Sequence, residues 1–126
     1  MPMKADLWFP TVIWNDHLKD VNNIELKDYV EKLAEEDKEG KVASNYGGWQ
    51  SKSFEILDQK PIAIERFMHS LQRCINECTK MAGMPDLIIS DYWWNINYHK
   101  DYNQPHNHRD SMLSGVYYID VPEDSD

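Results

Sequence analysis

Apolar positions recur along this chain at two different periods, and the change of period divides it into helical and extended parts. Leu26, Tyr29, Val30 and Leu33 fall three or four residues apart, the stripe of an amphipathic helix. Asn23 reads as its N-cap and Gly40 as its stop, with Lys38 favourable near the C-terminal end. The charged run Glu35 to Glu39 between them reads as a solvated face. A second and longer stripe comprises Ile64, Phe67, Met68, Leu71, Ile75, Cys78 and Met81. Pro61 fits its first turn, and Gly83 with Pro85 ends it. His69 falls on the polar side and reads as a surface histidine.

The remaining apolar segments follow period two. Leu7 to Trp14 is aromatic and β-branched, and Pro10 within it points to an edge strand. Leu87-Ile88-Ile89 leads into Asp91 to His99, and Leu113 to Val121 is a further extended run. In the middle run Trp93, Asn95 and Asn97 face one way, and Trp94, Ile96 and Tyr98 the other. Two amides on one face need partners if they are buried. Either a small ligand meets them in a polar cavity or the face is wet, and periodicity does not choose. Ser44 to Ser51 is rich in turn residues; Asn45 and the pair Gly47-Gly48 suggest positive φ or a close approach. A structural loop anchored by Trp49 explains that segment equally well. The order strand, two helices, then strands predicts an α+β domain with helices backing a sheet.

Composition narrows the function classes. The 126 residues suit one domain, and 41% apolar with 28% charged residues is an ordinary globular mix. The formal net charge is -9, and the thirteen basic residues are scattered among twenty-two acidic ones. Such a surface repels phosphate backbones and anionic lipid, so neither nucleic acid nor membrane is expected as a partner. No apolar run approaches the roughly 20 residues of a membrane span. The first residues lack the basic and apolar regions of a signal peptide. Cys74 and Cys78, four apart on a helix, are poorly placed for a disulfide and read as reduced thiols lining a core. These features together point to the cytoplasm.

Chemistry concentrates at His106-Asn107-His108-Arg109-Asp110. Residues spaced by two project to one side of an extended backbone, so His106, His108 and Asp110 can converge. Two imidazoles and a carboxylate that leave coordination positions open are the set used for Fe(II) and O2 chemistry. Zinc gains no support from a nearby thiol. A loop of exposed polar side chains, with His99 close by, is the competing reading of the same residues.

Four blocks carry a resemblance. Phe9-Pro10-Thr11, Ser44-Asn45-Tyr46-Gly47-Gly48-Trp49-Gln50-Ser51, Trp94-Asn95-Ile96-Asn97, and His106-Asn107-His108 followed by Leu113-Ser114-Gly115-Val116-Tyr117-Tyr118 occur in order. Together they resemble a family of 2-oxoglutarate and Fe(II)-dependent oxygenases, distantly similar to prolyl 4-hydroxylases. The resemblance implies a double-stranded β-helix, or jelly roll, with two N-terminal helices packed against the sheet. It implies an enzyme that couples 2-oxoglutarate decarboxylation to substrate hydroxylation, with Fe(II) as cofactor and O2 and 2-oxoglutarate as partners. The substrate, a protein side chain or a small metabolite, is left open. Asn95, Asn97, Tyr98 and Tyr118 are the implied cosubstrate-contacting residues. His106 and His108 match the family's H-x-H block, whereas related hydroxylases use H-x-D, which His108-Arg109-Asp110 also satisfies. His106 and His108 are taken as the central pair, with Asp110 as the competing carboxylate. A non-catalytic metal- or ligand-binding β-domain of the same fold is the alternative.

One departure stands out. The resemblance implies a distal histidine ligand and a basic residue for 2-oxoglutarate further along, yet no His, Arg or Lys follows Asp110. A jelly roll takes about eight strands, and the pattern offers only about four or five. The chain is therefore expected to be one truncated oxygenase-like domain, helical to about residue 86, with the first barrel strands over 87–126. Its missing ligands would lie beyond Asp126, and alone it is expected to bind iron weakly and show no turnover.

Overall fold

The computed structural model describes Met3, residues 9–123 and Ser125. Among the described residues there are two helices and six short strands: α1 (Asn23–Glu36), β1 (Asn45–Tyr46), β2 (Trp49–Gln50), β3 (Phe54–Glu55), α2 (Ile62–Ala82), β4 (Asp91–Tyr92), β5 (Asn95–Ile96) and β6 (Tyr102–Asn103). The predicted α+β class is thus observed. The ladders do not by themselves make up a jelly roll.

Helix α1 starts one residue earlier in its capping than the sequence pattern suggests. Asn22 is the N-cap, and its side-chain oxygen accepts from the backbone N–H groups of Ile24 (3.1 Å) and Glu25 (3.3 Å). Such a cap contributes about 1 kcal/mol. Asn23 instead lies in the first turn and accepts a 2.7 Å hydrogen bond from the Tyr117 hydroxyl. The helix ends at Glu36, before Gly40, because the buried Trp49 indole donates to the Asp37 carbonyl at 2.7 Å and holds the chain there. The charge run from Glu35 to Glu39 is exposed, as expected.

Helix α2 ends at Gly83, which takes the left-handed conformation (φ 62°) that an L side chain resists. Pro61 is its N-cap rather than its first helical residue. The inner stripe differs from the periodic forecast at its far end. Ile64, Phe67 and Met68 are buried, but Met81 is 76% exposed, and Ser70 and Thr79 are buried in the lower part instead. Met81 is neither in the core nor among the half-buried residues packed against it. Cys74 and Cys78 are free thiols, half-buried at the core's margin rather than within it. Burial pushes the Cys74 thiol upward, away from reactivity. His69 is exposed, as predicted.

The six strands are three antiparallel ladders between two segments, 45–55 and 91–103. Phe54 pairs with Tyr92, Trp49 with Ile96, and Tyr46 with Tyr102. From Phe54 to Trp49 is five residues, while from Tyr92 to Ile96 is four, so the first segment carries one extra residue there, a bulge. From Trp49 to Tyr46 is three, whereas from Ile96 to Tyr102 is six. The excess is taken up by a turn in which the Asp101 N–H donates to the Tyr98 carbonyl (3.0 Å) and Lys100 has φ 70°. Opposite it stand Gly47 and Gly48 at positive φ. A Cβ on Gly48 would come within 2.6 Å of the Ile96 carbonyl, and one on Gly47 within 2.0 Å of the Asp101 carboxylate. The glycine pair is therefore a close-approach device, which favours the structural reading of the Ser44 to Ser51 block.

The core lies between the helices and the inner face of these ladders: Leu26, Val30, Trp49, Ile64, Phe67, Met68 and Trp94. Trp94 is ringed by Tyr29, Tyr92 and Phe67 with centroids 5.7 to 6.0 Å away. Burial raises the Tyr92 phenol to about 12. The predicted strand Leu113 to Val121 alternates inward and outward, with Tyr117 and Ile119 packed on the core and Val116 and Tyr118 exposed, but it makes no ladder among the described residues. Contacts to the helices hold it, including the Lys27–Asp120 ion pair at 2.6 Å. Leu87 to Ile89 likewise makes no ladder; the Gln72 side chain bonds to the Leu87 carbonyl and the Ile89 N–H instead. Of the predicted edge strand Leu7 to Trp14, residues 7 and 8 lie outside the described residues, and residues 9–14 are not in a strand. An Asp20–Arg73 ion pair ties the segment before α1 to α2 and holds the Asp20 carboxyl below its usual range. No described helix is long and apolar enough to cross a membrane.

Candidate metal centre

The alternation read from Asp91 to Asn97 is present. Trp94 is buried and Ile96 half-buried on the inner face, while Asn95 and Asn97 are exposed on the outer one. The backbone here is fixed by Ser51, whose N–H donates to the Trp94 carbonyl (2.9 Å) and whose hydroxyl accepts from the Trp94 N–H (3.0 Å). Trp93, next to the bulge, therefore points out of the core in a defined direction. Tyr98 leaves the alternation because it enters the turn; it is 68% exposed, not on the inner face.

After β6 the chain folds back on the sheet. The Gln104 N–H donates to the Ser44 carbonyl at 2.7 Å, which extends the β1–β6 pairing by one bond and launches the loop 105–111. Pro105 then keeps the chain extended, and His106 and His108 emerge on the same side. Their Nε2 atoms are 3.1 Å apart. The His106 Nδ1 lies 2.8 Å from the Gln104 carbonyl oxygen. A carbonyl only accepts, so His106 carries its proton on Nδ1 and presents a lone pair at Nε2. The His108 ring is half-buried, with its centroid 5.5 Å from the Trp93 ring at 37°.

Two imidazole donors are of a kind that suits a transition metal. Two imidazole nitrogens bound at right angles to one ion, each about 2.1 Å from it, lie about 3.0 Å apart. The observed separation is close to that value, and the Gln104 carbonyl orients one ring as outer-shell partners of metal ligands do.

The structure does not gather every predicted site residue. Asp110 is exposed, and no group of three His, Cys, Asp or Glu side chains is placed to hold a metal among the described residues. Asp110 does share a polar cleft of about 330 Å³ with His108, Arg109, Ser90 and Asp91. Asn95 faces solvent beside Gln50 in the ladder, and the Asn97 amide donates to the Asn103 side chain at 3.1 Å. Tyr118 is 72% exposed on the outward side of its segment. Sequence reasoning did not single out Trp93, the Gln104 carbonyl or Asp91. Trp93 was within reach, since it shares its strand face with Asn95 and Asn97; a backbone carbonyl leaves no trace in side-chain chemistry.

A model of the family described as "Putative 2OG-Fe(II) oxygenase" matches residues 91–126, the stretch that holds β4 to β6, the histidine loop and the extended segment after it. No curated protein and no solved structure matches the chain.

Proposed function

We propose that this chain is an oxygenase domain of the 2-oxoglutarate and Fe(II)-dependent kind, with His106 and His108 as two of its metal ligands. The observation that carries the reading is the 3.1 Å approach of the two Nε2 atoms, with one ring held by the Gln104 carbonyl. The family match over residues 91–126 supports the same class of chemistry. When bound, Fe(II) supplies O2 activation, by which 2-oxoglutarate, O2 and a substrate C–H give succinate, CO2 and the hydroxylated substrate.

The chain's own residues bind and orient. His106 and His108 offer nitrogen lone pairs, and Asp110 and Asp91 line the same cleft as His108 with carboxylates. Asp110 is the proposed third donor, drawn from the same loop. Asn95, Asn97, Tyr98 and Tyr118 present amides and hydroxyls at exposed positions, groups suited to hydrogen-bond the cosubstrate's carboxylates. The substrate is a protein side chain or a small metabolite.

The test is Fe(II)-dependent formation of succinate from 2-oxoglutarate, read together with metal content. Metal bound by the wild type and lost in His106→Ala and in His108→Ala, with succinate formation following it, is the expected result. Equal metal content in all three proteins would overturn the reading. A second reading is favoured by the gathering of only two ligand side chains among the described residues. A non-catalytic metal-binding domain would lose metal in the same variants while forming no succinate.

A further inference from the structure

We infer that Trp93 is a positioning residue for the metal pair, acting through the His108 ring; this rests on the reading that His106 and His108 bind a metal. The two rings are not held alike. His106 is held by the Gln104 carbonyl at 2.8 Å, while among the described residues the His108 ring has only the 3.1 Å contact to His106 itself. A metal that takes up both Nε2 lone pairs abolishes that contact. The His108 ring is then left with the Trp93 face, 5.5 Å away between centroids at 37°, as its orienting neighbour.

Trp93 is equipped for this. It stands between β4 and β5 at the bulge, and its neighbour Trp94 is locked into the core and into two backbone bonds with Ser51. An indole with a fixed backbone is a rigid platform, because few side-chain torsions remain to be lost when a ring packs on it. The outer strand face thus contributes a wall that sets the His108 ring plane, while the loop contributes the ligands. Pre-orientation of this kind acts on affinity and on coordination geometry together.

Co(II) binding to the whole chain tests it, followed by calorimetry and by the visible d–d absorption, with circular dichroism as the control for folding. Trp93→Leu keeps apolar bulk but removes the ring, and is expected to weaken Co(II) binding about tenfold and to change the d–d band shape. Trp93→Phe keeps an aromatic face and is expected to restore most of both. A general structural role would not separate these two variants at the metal. Wild-type affinity and band shape in Trp93→Leu, with binding still lost in His106→Ala and His108→Ala, would overturn the Trp93 role alone. Absence of binding in the wild type, or binding indifferent to both histidines, would overturn the metal reading and the Trp93 role with it. Should Trp93→Leu fail to fold, Trp93→Phe decides: affinity reduced as in His108→Ala would contradict the platform, and near-wild-type affinity would uphold it.

Discussion

The two faces of the interrupted ladder make a useful comparison. On the inner face Trp49 and Trp94 are 7% and 6% exposed and are enclosed by helix residues. On the outer face Trp93 is half-buried beneath a loop whose side chains, from His106 to Asp110, are mostly exposed. The same strand supplies both, because consecutive side chains point to opposite faces. The inner side is organised by packing, in which each residue is held by many weak contacts. The outer side is organised by a few directed bonds, among them the Gln104–Ser44 backbone bond and the Gln104–His106 contact. Stability and candidate chemistry are therefore divided between the faces, and substitutions should separate them.

The largest effect is expected at Phe67, which is 3% exposed and packs on both Trp94 and Tyr117. Phe67→Ala should cost about 3–5 kcal/mol in denaturant unfolding. Metal binding should disappear with the fold rather than selectively. Next comes Gly48→Ala, which combines φ +63° with a clash against the Ile96 carbonyl. A loss of about 2 kcal/mol is expected. Because the β2–β5 register carries Trp93, metal affinity should fall as well, and unchanged affinity would show that the loop is independent of that register.

A third effect shows only at high pH. Burial raises the folded Tyr92 phenol to about 12, whereas the unfolded phenol ionises near 10. The folded state thus holds its proton longer, and the stability linked to Tyr92 is intact below about pH 10 and lost as pH rises towards 12. Melting temperature measured across that window should fall less steeply in Tyr92→Phe. The smallest effect on stability is expected at His106. His106→Ala should stay within about 0.5 kcal/mol of wild type, while Co(II) affinity drops by more than about tenfold. A strong destabilisation there would erase the distinction between the two faces.

Much of the fold was legible because it depends on periodicity. The helix stripes through Leu26 and Val30 and through Ile64, Phe67 and Met68 mark faces that must be buried somewhere. The alternation from Trp93 to Asn97 was legible for the same reason, but that the two asparagines face solvent was not, since periodicity left a polar cavity and a wet face equally open. The ends of elements were less so. Asn22 rather than Asn23 caps α1, and Met81 falls outside the core, since both depend on what lies opposite in space. The site was legible only as a list of donors. His106 and His108 share a side in any extended chain, but nothing local draws Asp110 in beside them, and the described structure leaves it in solvent.

By itself, then, the amino-acid order determined two amphipathic helices, an alternating strand and a pair of imidazoles with the right spacing. Those are short-range properties, set by the geometry of the backbone between near neighbours. Tertiary structure alone decided that the strands break into three ladders with a bulge and a turn, and that residues 113–121 lie on the helices and join no ladder among the described residues. It also decided that the loop returns over Trp93, so that one histidine rests on an indole and the other on a carbonyl. Such pairings join residues far apart in the chain, so they are selected by packing and hydrogen-bond satisfaction across the whole molecule rather than by any local preference.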